Sequence, residues 1–571
     1  MSRLIWFLLC AILGLAMVGL GLLLPAHLRA VETSVLEQAG RNTPTVVEHG
    51  LKMVRDKNLG AARLLLETAQ SKELPERDTL ASAVDDLTAQ QPDLILWGHD
   101  EPGLKILFGR DRLPPASKSE PFTTFIVRQD NRRRALDLLR ATPNLVVQEL
   151  LHFHAQTNTV LFSPAESASG QALDAAVAIG GLLLERGQLS AGLSNAMLVL
   201  AVEAISRRDS QPLEQVLLDL MSLGQRLDWG QLVAFIGRIE DPETLRRLAG
   251  LARQDLDLSV LFAAVQLCQR PSAVADYLMN FSQTGPRDLG ESLRYAAGGL
   301  NELLRRNARL LDSGLGRSLA SDSMLGRGYA AVAAYSLRAP RLALTLKWLL
   351  YLGGGFLLAM AVRAVRRVPA LEQPLQVRGF HFVRALLFAL GFLLVVVLLS
   401  EPFLAQDSQK VEFPLRLRLP TVGSAVPAET SVAHTSFMNQ LSLLTLLLFF
   451  VIQSLIYTAC LIKLAEIRRQ TVPARIKLKL LENEDHLFDA GLYLGFVGTI
   501  ISLILVSLGV IKPSLMAAYS STSFGIIFVS IFRIFNLRPL RRKLVLEAEA
   551  IYPDPAVATT APIRLSGPTL S

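Results

Sequence analysis

Cysteine is scarce in this chain, with three residues in 571. Cys10 and Cys460 fall inside apolar runs and Cys268 stands alone between them, which excludes a disulfide framework and any cysteine-rich metal site. Catalytic motifs are missing too: there is no Walker A loop, no nucleophile elbow and no carboxylate pair at a telling spacing. Gly314-Leu315-Gly316 opens like a dinucleotide fingerprint but lacks the third glycine and a preceding strand, which leaves a flexible loop. His152 and His154 lie on different sides of any helix, unlike the i, i+4 pair of a zinc helix, and read as surface or core residues. Nothing supports an enzyme, and no cofactor or metal is expected.

What the chain has in plenty is apolar sequence. Hydrophobic residues make up 51% and charged residues 19%, with a mean hydropathy of +0.36, which points to a membrane protein. A hydrocarbon core about 30 Å thick needs roughly 20 apolar helical residues to cross it. Six runs qualify, at residues 4–24, 342–362, 383–404, 437–462, 490–511 and 514–535. The last two, joined at Lys512-Pro513, form a hairpin. The first run is longer than the core of a cleavable signal peptide, so an uncleaved anchor is favoured over a signal. The span interiors read as almost free of charge, with Glu401 and Arg533 near span ends, which argues against a carrier of charged solutes.

Arginine and lysine place the loops. Arg363, Arg366, Arg367, Arg378 and Arg384 follow the second span, Lys463 to Lys479 the fourth, and Arg538 to Lys543 the sixth, all predicted cytoplasmic. The Pro-rich loop 405–436 is balanced in charge and predicted outside. Both termini are then cytoplasmic and residues 30–338 lie outside an inner membrane. Much of the net charge of +8 sits in these flanks, where topology and anionic lipid head groups account for it with no call for nucleic acid.

The predicted fold class is all-α: a polytopic helical membrane protein with a large extracytoplasmic, α-solenoid-like domain. Its parts are an anchor (1–29), the outside domain (30–338), a two-span segment (339–404), the loop 405–436, a three-span domain (437–544) and a disordered cytoplasmic tail (545–571). In the outside domain, apolar residues at helical spacing follow Ser210, Asp228 and Asp241-Pro242, and Leu261 to Cys268 make a further helix. Short helices with short links fold back in pairs and stack, although a compact irregular bundle is a close alternative. Residues 49–69 faintly resemble a tetratricopeptide helix-turn-helix. Leu94 to Gly98 looks strand-like, and the prolines beyond it suggest a small α+β insertion or a binding loop, with structural filler preferred.

Small and hydroxyl residues concentrate in the final hairpin: Gly495, Gly498, Thr499 and Ser502, then Ser520 to Ser523 and Gly525. Such residues let helices approach closely and line narrow polar paths. Leu494-Gly495-Phe496-Val497-Gly498-Thr499-Ile500 resembles the Leu-Gly-Leu-Leu-Gly-Thr-Val entry to the penultimate span of the MotA/TolQ/ExbB proton channel family, and Ala518 to Thr522, Gly525 and Asn536 resemble its final span, which an asparagine closes at the cytoplasmic side. The segment 463–489 is shorter than the family's, and the family's proline in the last span is missing. The resemblance implies a homo-oligomer whose pore is lined by Thr499, Ser502, Thr522 and Gly525, with Gly495 and Gly498 packing the hairpin. It also implies a single-span partner carrying a membrane aspartate, since the hairpin has no acid of its own. The rival reading is a membrane-anchored helical scaffold; a solute transporter lacks both intramembrane charges and inverted repeats.

Reporters fused after Arg338 or near Ala425 should read outside, and those after Arg367, Lys479 or Lys543 inside. An outside signal at Lys479 would overturn the six-span topology.

Overall fold

The computed structural model describes residues 2–101, 119–155, 159–162, 170–254, 256–312, 323–365, 380–401, 440–507 and 515–551, with isolated positions 103, 104, 107 and 403. The loop 405–436, Gly314 to Gly316, the turn at Lys512-Pro513 and residues 552–571 lie outside them. Among the described residues the chain is all-α apart from one pair of three-residue strands. It divides into Pro25–Pro340 and a second unit made of Met1–Leu24 with Arg341–Ser571.

In Pro25–Pro340 the helices begin where short polar side chains can satisfy the first orphan amides. Asp241 accepts from Thr244 N at 2.8 Å, with Pro242 in the first turn, and Asp257 accepts from Ser259 N at 3.0 Å. Thr45 and Glu48 form a reciprocal capping box, as do Asp228 and Gln231. Ser210 precedes the Gln211–Gly224 helix but makes no side-chain cap bond.

Two rows of helices result. Gln211–Gly224, Pro242–Arg253 and Pro271–Asn280 pack in succession, as do Trp229–Ile236, Leu258–Leu267 and Gly285–Ser292. The hairpin of Val46–Arg55 and Leu59–Ser71 is present, and its second helix lies on the second row. That contact buries Leu258–Leu267 from Ser259 to Leu267, which explains why this helix is apolar all round. Truncating Phe262, fully buried here, costs on the order of 3–5 kcal/mol.

Three features depart from expectation. The strand-like Leu94–Trp97 is a single helical turn: Leu94 and Trp97 point into the core, and Gly98, at φ +70°, turns its N–H back to the Leu94 carbonyl. Its aromatics are core, with Trp97 packed on Phe125 and Phe122 on Trp229. The unit carries a short parallel pair that joins its N-terminal β1 (Ala30–Glu32) to the distant β2 (Arg309–Leu311). Glu32, the buried last residue of β1, accepts from Tyr329 Oη at 2.5 Å. In the second unit, helix Arg538–Ile551 runs on past residue 545, where a disordered tail was expected.

Four helices of the second unit are long and apolar enough to cross a membrane among the described residues: Leu4–Leu23, Pro340–Arg363, Phe449–Arg469 and Tyr519–Glu549. Two other expected spans contribute the shorter apolar helices Ala385–Val397 and Ala490–Ile501.

Asp228 marks a polar node in the core of Pro25–Pro340. Its Oδ1 accepts from Gln231 N at 2.8 Å, Gln231 Nε2 donates to the Gly60 carbonyl at 3.2 Å, and Asn58 Nδ2 donates to the Gly230 carbonyl at 2.9 Å. A Cβ at Gly60 or Gly98 would collide with the carboxylate. Burial pushes the Asp228 carboxyl up to about 7 from its ordinary 3.8, against the pull of the Gln231 amide. Because the folded value is the raised one, the stability contributed by the neutral acid is complete below the unfolded value and is lost as pH rises toward 7. Residues 25–340 produced alone should be soluble and mainly helical, with a Tm that falls across this window. Asp228→Asn keeps the cap and removes the charge, so it should flatten the profile and gain a few degrees above pH 7. Parallel profiles for the two proteins would show that folding leaves the Asp228 pKa at its unfolded value.

Candidate functional site in the final membrane hairpin

The helices Ala490–Ser507 and Leu515–Ile531 pack closely over successive turns. A Cβ at Gly495 would lie 2.8 Å from the Ser521 carbonyl oxygen and 3.2 Å from Thr522 Cα. A Cβ at Gly498 would run into the Ser521 hydroxyl, and one at Gly525 would lie 2.7 Å from the Gly491 carbonyl. Glycine at these places therefore sets the distance between the helices, as small residues do where no hydrophobic force drives helices together in lipid.

That approach brings three hydroxyls onto one carbonyl. Ser521 Oγ, Thr499 Oγ1 and Thr522 Oγ1 lie 3.0, 3.1 and 3.2 Å from the Gly495 oxygen, and the two threonine hydroxyls are 2.5 Å apart. A carbonyl has two lone pairs, and within a helix one already takes the amide four residues on. The hydroxyls thus compete, and the cluster can turn a hydroxyl proton toward a new acceptor at the cost of about 1 kcal/mol. Thr499 is buried and Thr522 half-buried. Gly525 meets the backbone of the neighbouring helix, and the side chain of Ser502 lies outside the described residues.

The third helix of the group, Gln440–Arg469, packs on Leu515–Ile531. Its Gln453, 1% exposed, donates from Nε2 to the Gly491 carbonyl at 2.9 Å. Toward the far end, Asn536 Nδ2 donates to Tyr457 Oη at 3.1 Å, and Arg533 pairs with Asp489 at 2.5 Å. The final helix does not close at Asn536. It widens into a π turn over Phe532–Leu537 and continues. Pro539 has no N–H to give and would crowd the carbonyl four residues back, and a wider turn accommodates both.

No protein-family model matches this chain, and no curated protein or solved structure matches it either.

One charge was missed in the sequence. Lys347 lies inside the run 342–362 and pairs with Glu401 at 3.8 Å, with both side chains 1% exposed. The pair joins Pro340–Val365 to the end of Phe380–Ser400, so the two-span segment is not free of buried charge. A lone lysine in an apolar run was a signal in its own right. Gln453 was missed as well, hidden in a run of thirty helical residues whose overall composition is apolar.

Proposed function

We propose that the chain is an ion channel subunit resembling the MotA/TolQ/ExbB proteins, coupling proton flow to work on an envelope partner. The observation that carries the reading is the cluster of Thr499, Ser521 and Thr522 hydroxyls on the Gly495 carbonyl in a hairpin without an acidic side chain between Ala490 and Ile531. A proton path through lipid needs a group that binds and releases the proton, and a carboxyl serves because an apolar setting brings its pKa toward neutral. Three competing hydroxyls suit such a visitor. They accept from a carboxylic acid, and one of them can rotate to donate to the carboxylate.

On this reading the six apolar runs are all spans, both termini are cytoplasmic, and the helical rows of Pro25–Pro340 form a short, closed solenoid-like domain outside the inner membrane. Several copies surround a pore lined by Thr499, Ser502, Thr522 and Gly525, and a single-span subunit supplies the aspartate. The outside domain offers the surface for an envelope partner.

A membrane-anchored scaffold is the second reading, and a specific observation favours it: the threonine hydroxyls face each other within one chain, as they would in a packed hairpin. Thr522→Val separates the two. It keeps the volume and removes the hydroxyl, so partner-dependent proton flux in proteoliposomes should fall at least tenfold while assembly persists. Flux that is unchanged, or absent from the unsubstituted complex, would leave the scaffold, for which the same substitution costs only about 1 kcal/mol of stability.

A further inference from the structure

We propose that the three-helix group formed by Gln440–Arg469, Ala490–Ser507 and Leu515–Ile531 holds one internal water molecule, bound to the side-chain carbonyl of Gln453. The inference does not rest on the channel reading. Its starting point is that Gln453 is almost wholly buried, at 1% exposure, and that its Oε1 has no hydrogen-bond partner among the described residues. The orientation of the amide is fixed, because the group facing the Gly491 carbonyl must be the donor, and Nε2 lies 2.9 Å from it. Turning the amide over would set two oxygens against each other. A buried acceptor left without a donor is rare and costly, more so in a membrane where no solvent reaches it.

The structure also provides the room. A cavity beside Gln453 is walled by Tyr457, Cys460, Phe488, Gly491 and Phe532, and it leaves about 10 Å³ for the centre of a water-sized sphere, close to the least that one molecule needs. The protein has little to offer Oε1 from these walls. The Cys460 thiol points to the Leu487 carbonyl at 3.6 Å, the Tyr457 hydroxyl, which accepts from Asn536, makes no hydrogen bond to Oε1, and the phenylalanines have no donor. No charged side chain lines the cavity, so an ion would sit there without a counter-charge. A neutral molecule that donates hydrogen bonds and is no larger than water fits the size, the charge and the unmet need together.

The site lies between two polar features. The Gly491 carbonyl that holds Gln453 is one helical turn from the Gly495 carbonyl of the hydroxyl cluster. Tyr457 is one turn from Gln453 on its own helix and bonds Asn536. With the water in place, hydrogen-bonding groups line the seam between the three helices from Thr499 to Asn536, and the unmet carbonyl is satisfied.

The test is a density map of the full chain in lipid nanodiscs at a resolution that shows ordered internal water. A peak within hydrogen-bond distance of Gln453 Oε1 is expected, and Gln453→Leu should abolish it. An empty cavity in a map that shows other internal waters would overturn the proposal, as would an amide whose oxygen bonds a protein donor. If the leucine variant does not fold, magnetisation transfer from water to the Gln453 side-chain amide decides the matter in the unsubstituted chain. A resolved cross-peak supports the site, and its absence from an assigned amide resonance refutes it. Neither arm reads ion flux, so a failed channel assay leaves this result standing.

Discussion

The membrane unit depends on one close approach, between the backbone at Gly495 and the Ser521-Thr522 stretch of the last helix. Any side chain at Gly495 would push the helices apart. The hydroxyls of Thr499, Ser521 and Thr522 would then lose the carbonyl that gathers them. In water such a loss is small because solvent replaces the missing partner. In hydrocarbon there is no bulk solvent to replace it, so each buried polar atom must find its partner in the protein or in a bound water. The approach therefore fixes both the geometry of the hairpin and the chemistry available at its centre. Gln453 extends the same rule to a third helix by reaching the Gly491 carbonyl, and Lys347 with Glu401 applies it to full charges between two others.

The Pro25–Pro340 unit handles buried polar groups in a different way, by giving them backbone amides. Glu214, fully buried, accepts from the amides of Val160, Leu161 and Phe162 and so fastens that loop to the Gln211–Gly224 helix. Asp228 caps a helix and gathers two turns around it. Its cost is a carboxyl that burial holds near 7, which makes this node sensitive to pH. Far apart in sequence, β1 and β2 bring Ala30 next to Arg309.

Local signals were legible in the sequence and long-range ones were not. Asp241-Pro242 announced a helix start because capping involves only the next three residues, and the structure has that bond. The apolar runs were legible by length alone. The turn at Leu94 misled because four apolar residues fit either period, and only the burial of Leu94 and Trp97 on one side decides for a helix. Pairing of Ala30 with Arg309 has no local signature, since three residues carry no alternation worth reading. The hydroxyl cluster was half legible: its members stood out by composition, but their common acceptor, a main-chain oxygen, is invisible in a list of side chains. Lys347 failed for another reason. It was passed over in a run counted as apolar, although its position within the run already made it exceptional.

The central claim is that this chain works as one part of an assembly whose acid comes from elsewhere. Native mass spectrometry of the complex, extracted gently from its own membrane, tests that most directly. The account predicts several copies of this chain together with a smaller single-span subunit that carries an aspartate or glutamate within its span. A particle that contains this chain alone, in any copy number, would contradict it.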